Sequence, residues 1–343
     1  MPDIGSRSAP ELVAERNQCV PAGVSGPQAA VVRCLGRLVM GRGARAKLVV
    51  LIYHRVLPEP DPLRPGEITV HDFTWQIESV SRVFTVLPLS EAAERLASGT
   101  LPARAAAITF DDGYMDNLTH ALPVLQRFRV PATVFVATGT LGRCMWNDKA
   151  IELLRQAPAQ GLDTGELGLG ILPASSITER RGSLFQLLAA LKNLPRAQRD
   201  EILEGLLEGC GIMPPTGLML DADGVRALHR AGIEIGAHTV HHPILSRIPL
   251  PEAEDEIARS RRTLESIVDA PVTSFAFPNG RRGVDYNEEH VALVRRLGFS
   301  AAVSTEHGPN RSWQNRFELR RFTPWDKTPL RFVGRLMLSA MRS

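Results

Sequence analysis

Cysteine is scarce in this chain of 343 residues: there are four, Cys19, Cys34, Cys144 and Cys210, far apart and without a Cys-x-x-Cys spacing. That excludes a zinc knuckle and a disulfide framework, and leaves reduced thiols as the expectation. Charge of one sign is scarce too. The 40 Lys and Arg nearly cancel the 37 Asp and Glu, and a net charge of +3 gives no footprint for nucleic acid. No stretch approaches the ~20 apolar residues of a membrane span. The opening Met1-Pro2-Asp3-Ile4-Gly5 lacks a basic stretch followed by an apolar core. No export signal is readable, so a cytoplasmic or membrane-peripheral location is expected. No repeat of fixed period is present, which argues against a solenoid.

What is present is enough apolar sequence, 44% of the chain, to bury a large core in one α/β domain with insertions. Residues 1–45 read as an N-terminal extension, partly helical. Residues 28–40 are amphipathic, with Val31, Val32, Leu35, Leu38 and Val39 opposite Arg33, Arg37 and Arg42. Such a stripe ordinarily packs on a core, and it also allows peripheral membrane contact. Residues 47–53, 105–110, 131–137, 233–237, 272–277 and 299–303 are short apolar runs expected as buried strands, with 317–322 as a last strand. Helical periodicity covers residues 70–83, 117–128, 223–230, 252–268 and 288–297, and Ser90 is expected to cap a helix through residue 97. The rhythm is βαβ and implies a parallel sheet with right-handed crossovers. It breaks at about 140–220, where three helices and a glycine-rich loop read as an insertion that lies over the site or recruits a partner. Residues 326–343 read as a C-terminal amphipathic helix.

The chain is organised around Thr109-Phe110-Asp111-Asp112-Gly113. A buried strand ends at Phe110, the chain turns at Gly113, and two carboxylates sit at the strand's C-terminal edge, where parallel α/β folds build their sites. Adjacent like charges repel unless something cationic lies between them, so one acid is a candidate metal ligand and the other a candidate base. An ordinary Asp-Gly turn is the alternative. His238-Thr239-Val240-His241-His242-Pro243 follows another strand, and His54 a third. Pro243 disfavours helix at His242, so a turn is expected there. Two imidazoles and one carboxylate would leave open positions on a metal, as hydrolytic sites do. His241 is the odd one, expected at the surface or behind the site. For His54, a strand-end hydrogen bond and a catalytic role stand side by side.

These segments resemble the first two motifs of the polysaccharide deacetylases, the NodB-homology or carbohydrate esterase 4 family. Phe275-Ala276-Phe277-Pro278-Asn279-Gly280 resembles the third. The resemblance spans residues 48 to about 322, in family order. It implies a distorted (β/α)7 barrel over residues 46–325 with the helical insertion inside it, and a divalent metal, usually zinc. It also implies hydrolysis of N-acetyl groups on hexosamines of a glycan or a lipid-linked glycan precursor. Carried over, Asp111 is the general base and Asp112, His238 and His242 are the metal ligands. Many members place an arginine two residues before the third motif's proline; Ala276 stands there, so the arginine is missing or comes from Arg281, Arg282, Arg320 or Arg321. The late Leu-x-His proton donor of many members is also missing, and His307 reads as a loop residue. Ile52-Tyr53-His54-Arg55-Val56 instead resembles the Tyr-His segment of biofilm-polysaccharide deacetylases, whose motif order is permuted; His54 is then the candidate general acid. A small-molecule amide hydrolase on the same fold and a catalytically silent glycan-binding module are the competing functions.

Overall fold

The computed structural model describes residues 23–341. The expectations for Cys19 and for the N-terminal extension before residue 23 lie outside the described residues. Seven strands run parallel: β1 (Lys47–Tyr53), β2 (Ala105–Phe110), β3 (Thr133–Val136), β4 (Glu234–Ala237), β5 (Ser274–Ala276), β6 (Ala301–His307) and β7 (Leu319–Arg321). Each pairs with the next in this order. Past β7 the chain meets β1 again: Ile52 N–H donates to the Phe322 carbonyl at 3.0 Å, and Phe322 N–H to the Val50 carbonyl at 2.8 Å. This seam nearly closes the sheet into a barrel of the expected NodB type. Asn310–Arg311 adds an antiparallel strand beside β1, and Thr85–Val86 a parallel one beside β2.

The helices are α1 (Gly26–Met40), α2 (Val70–Val83), α3 (Leu89–Ala97), α4 (Leu122–Phe128), α5 (Trp146–Gln156), α6 (Ile177–Lys192), α7 (Arg196–Gly209), α8 (Ala222–Arg230), α9 (Leu250–Val268), α10 (Glu288–Arg296) and α11 (Pro329–Met341). None of them is long and apolar enough to cross a membrane. α1 and α11 pack on α2 and on each other. Lys47 Nζ donates to the Val39 and Ala340 carbonyls, which satisfies the C-terminal ends of both helices at once. Cys34, Cys144 and Cys210 are free thiols.

Strand alternation sets what points inward. Leu48, Val50, Ala105, Ala107, Phe135, Ala276, Val303 and Leu319 fill the barrel interior, while Val49, Leu51, Ala106 and Ile108 face the helices. Small alanines on β2 leave room for Phe135 of the neighbouring β3. Continuing the same parity puts Thr109 and Asp111 of β2, and Arg321 of β7, on the inner face at the C-terminal mouth. The segment between β3 and β4 carries α5, α6 and α7 around a core of its own, including Leu153, Leu187, Leu191 and Leu203. The glycine-rich loop expected there is the tip of a small hairpin, Leu162–Asp163 against Ile171–Leu172.

Two local expectations are corrected. Ser90 does not cap α3; the cap position is Pro88, and Ser90 N–H and Oγ both donate to Glu234 at 3.1 and 3.0 Å. Proline pre-sets the entry angle, and a carboxylate from another strand supplies the acceptor. His307 is not in a loop but ends β6, which runs four residues past Val303.

Candidate active site

The loop after β2 is set by backbone conformation. Asp112 has φ 75° and Gly113 φ 84°, the left-handed region that glycine and aspartate tolerate best. A Cβ on Gly113 would meet Val136 at 3.1 Å. The turn leaves Asp111 and Asp112 both buried, 2% and 7% exposed, but on different neighbours.

Asp111 is gripped by Arg321. The guanidinium, itself 1% exposed, donates Nη1 to Oδ1 and Nη2 to Oδ2, both at 2.7 Å. Arg321 is fixed in turn, its Nε donating to the Ser304 carbonyl at 2.7 Å and Nη1 to Thr109 Oγ1 at 3.2 Å. A bidentate, fully enclosed fork of this kind fixes a carboxylate in orientation as well as charge. Burial would raise the Asp111 pKa; the charges of Arg321 and His238 outweigh it and hold the carboxyl below its ordinary value. The other arginines considered for this task are engaged elsewhere or point away: Arg281 pairs with Asp285, Arg282 with Glu288 and Glu318, and Arg320 is exposed on the barrel's outer wall.

Asp112 faces two imidazoles. Its Oδ1 lies 3.5 Å from His238 Nε2 and 3.6 Å from His242 Nε2, and this buried oxygen accepts no hydrogen bond. One ligand atom from each of the three residues lies within 4.8 Å of the others. His238 is oriented from behind: its Nδ1 and the Ala276 carbonyl are 2.8 Å apart, so a proton on Nδ1 leaves Nε2 free to ligate. His242 stands at φ 55°, in a turn and not a helix, and Pro243 after it disfavours helical continuation. Burial and then His238 push the His242 imidazole down to about 4, which keeps it neutral near pH 7. An orphaned buried carboxylate oxygen aimed at two imidazole nitrogens fits a divalent cation, and an oxygen–nitrogen donor set suits zinc among others.

His241 is turned away from this cluster, its Nδ1 2.6 Å from Glu256 Oε1. Glu256 also accepts the Val240 and His241 N–H groups at 2.9 and 2.8 Å, so one buried carboxylate of α9 clamps the whole loop. His54 follows β1 at the rim of the mouth. It is exposed, and close enough to both aspartates to interact with them electrostatically. Its loop is pinned to the loop after β2 by Asp116, which accepts Arg55 Nε at 2.7 Å and Val56 N–H at 3.0 Å.

Sequence reasoning missed Glu256 and Asp116, and it missed Asp148 of α5. Tyr114 Oη and Asp148 Oδ2 are 3.1 Å apart, and Arg64 Nη1 donates to Asp148 Oδ1 at 3.3 Å. At the other end of the insertion, Lys192 Nζ donates to Asn279 Oδ1 at 2.6 Å. The insertion is therefore fastened to the loops that follow β2 and β5. A signal for Glu256 was available: with Ala253, Ile257, Ser260 and Leu264 it lies on the buried stripe of α9, where a lone carboxylate needs a partner.

A family model described as polysaccharide deacetylase matches residues 98–302, which include both aspartates and the His238 loop. The chain belongs to the polysaccharide deacetylase family. Among curated proteins, it is 21% identical over 277 residues to YxkH of Bacillus subtilis (strain 168), named for a polysaccharide deacetylase, covering 80% of this chain and 71% of that one. Two solved structures share the fold. The deacetylase PplD of Streptococcus pyogenes, determined with acetate, has a TM-score of 0.58 and 18% identity over 86% of this chain and 98% of its own. IcaB of Ammonifex degensii has a TM-score of 0.56 and 21% identity, over 88% and 98%. Membership in the deacetylase family supports a hydrolase that removes acyl groups from a glycan.

Proposed function

We propose that this chain is a metal-dependent N-deacetylase of hexosamine residues in a glycan or a lipid-linked glycan precursor, from the branch with a Tyr-His segment near the N-terminus. The observation that carries the reading is the division of labour between two adjacent buried carboxylates, one forked onto Arg321 and one left with an unpartnered oxygen facing two imidazoles. Asp112, His238 and His242 would hold the metal, most often zinc in this family. When bound, such an ion polarises the acetamide carbonyl and lowers the pKa of water. Asp111, held by Arg321, takes the proton from the attacking water. His54 at the rim gives a proton to the departing amine nitrogen, and acetate is the second product. Peripheral membrane contact through α1, whose Val31 and Arg33 are exposed, belongs to the same reading, and sedimentation with anionic vesicles tests it.

Acetate release from a panel of N-acetylated oligosaccharides, with and without chelator, tests the activity. Chelator-sensitive release from an N-acetylhexosamine oligomer is expected. Release only from small amides would instead make the chain a small-molecule hydrolase. Glycan binding without any release would make it a silent module.

A further inference from the structure

The connection from β6 to β7, residues 308–318, contains no helix, so no connecting helix covers this part of the barrel's outer wall. A groove of about 1060 Å³ lies there. Its lining includes Arg282, Glu306, His307, Trp313, Asn315 and Arg320. Trp313 is 75% exposed, an unusual position for the largest apolar side chain. The planar amide and guanidinium groups around it present hydrogen-bond donors and acceptors of both kinds. Positive and negative groups alternate, with Arg282 paired to Glu288 and Glu318, so the groove carries no strong charge of one sign. An aromatic face among mixed donors and acceptors suits a neutral polyhydroxyl chain better than an apolar peptide or a polyanion.

The groove reaches the barrel mouth through His307. His307 lines it and ends β6 at the barrel mouth, with its ring 4.5 Å from that of Phe322 and nearly parallel to that of Trp325, 16° and 6.4 Å away. Trp325 is 61% exposed. On β7, Arg320 turns outward into the groove while its neighbour Arg321 turns inward to Asp111. Exposed rings at Trp325, His307 and Trp313 thus lead from the mouth down the outer wall.

We infer that this groove is a second glycan-binding site, which holds a stretch of a neutral polysaccharide strand away from the sugar being deacetylated. The inference rests on the glycan reading above, and its test separates the two. The probes are poly-N-acetylglucosamine and the N-acetylglucosamine trimer, with Trp313→Ala, Trp313→Phe and the wild-type chain. Trp313→Ala should lower kcat/KM for acetate release from the polymer about tenfold, the scale of one lost aromatic anchor, and leave the trimer unchanged. Trp313→Phe should restore most of the polymer rate. In gel retardation with the polymer, wild type should be slowed and Trp313→Ala should not. Retardation reads the groove even if no acetate is released from either probe, so failure of the catalytic reading does not decide this one. Equal retardation of both, retardation of neither, or an equal fall on polymer and trimer overturns the inference. A Trp313→Ala change from dimer to monomer in light scattering would assign the groove to a second copy of the chain and overturn it as well.

Discussion

Asp111 and Asp112 are neighbours in the chain and both are buried, yet the wall behind each is different. Behind Asp111 stands Arg321 from β7, two strands away across the seam with β1, with Nη1 and Nη2 both donating to the one carboxylate. In front of Asp112 stand two imidazoles and no donor at Oδ1. The first half of the site is complete with protein atoms alone; the second leaves one carboxylate oxygen without a hydrogen-bond partner beside two imidazoles. The difference shows how one dipeptide can serve two roles: alternation sends Asp111 into the barrel, and the left-handed turn at Asp112 swings its carboxylate sideways to the loop after β4.

The comparison breaks most severely when the cation half is emptied. His238→Ala and His242→Ala should each abolish metal binding and turnover, while His241→Ala, which only frees part of Glu256, should keep both; elemental analysis of the purified variants decides it. Full metal occupancy in His242→Ala would remove it from the ligand set. In the other half, Arg321→Gln should keep bound metal but leave the Asp111 charge buried and unpaired. The expected cost is about 3–5 kcal/mol of stability, read by denaturant unfolding, with a fall in kcat. A variant as stable and active as wild type would show that the fork is incidental.

His54 sharpens the contrast because it belongs to neither half. His54→Ala should retain metal and most activity on an aryl acetate, whose leaving group needs no protonation, while N-acetylglucosamine oligomer hydrolysis falls roughly a hundredfold. Equal depression on both substrates would make His54 structural. The smallest effect lies at the insertion. Burial pushes the Asp148 carboxyl up to about 6, against the pull of Arg64 and Arg55. Folding therefore favours its protonated form, so its contribution to stability is present below the ordinary value of 3.8 and is lost as pH rises through about 6. Asp148→Asn should melt above wild type at pH 8, by on the order of 2–3 kcal/mol, and the gap should close as pH falls from 6 towards 4.

Much of the barrel was readable. The spans 47–53 and 70–83 end where the structure ends them, because the first is an unbroken apolar run between Lys47 and His54 and the second keeps Phe73, Ile77 and Val80 at helical spacing. β6 was read short, since Ser304, Thr305, Glu306 and His307 are polar. They are polar because the groove, and not a connecting helix, lies outside them. The four candidate arginines could not be separated by sequence: only the β7–β1 seam at Phe322 shows which one reaches Asp111. The insertion stayed opaque for a different reason. Its leucines build a local core, and the contacts of Asp148 and Lys192 with the loops after β2 and β5 come from otherwise ordinary helices.

The division of labour is tested most directly by preparing Asp111→Asn and Asp112→Asn side by side and measuring metal stoichiometry and kcat on the same samples. Asp111→Asn should bind metal as wild type does and lose turnover by a hundredfold or more, the usual scale for a lost general base. Asp112→Asn should lose the metal and turnover together. Loss of metal in Asp111→Asn, or full metal in Asp112→Asn, would contradict the account.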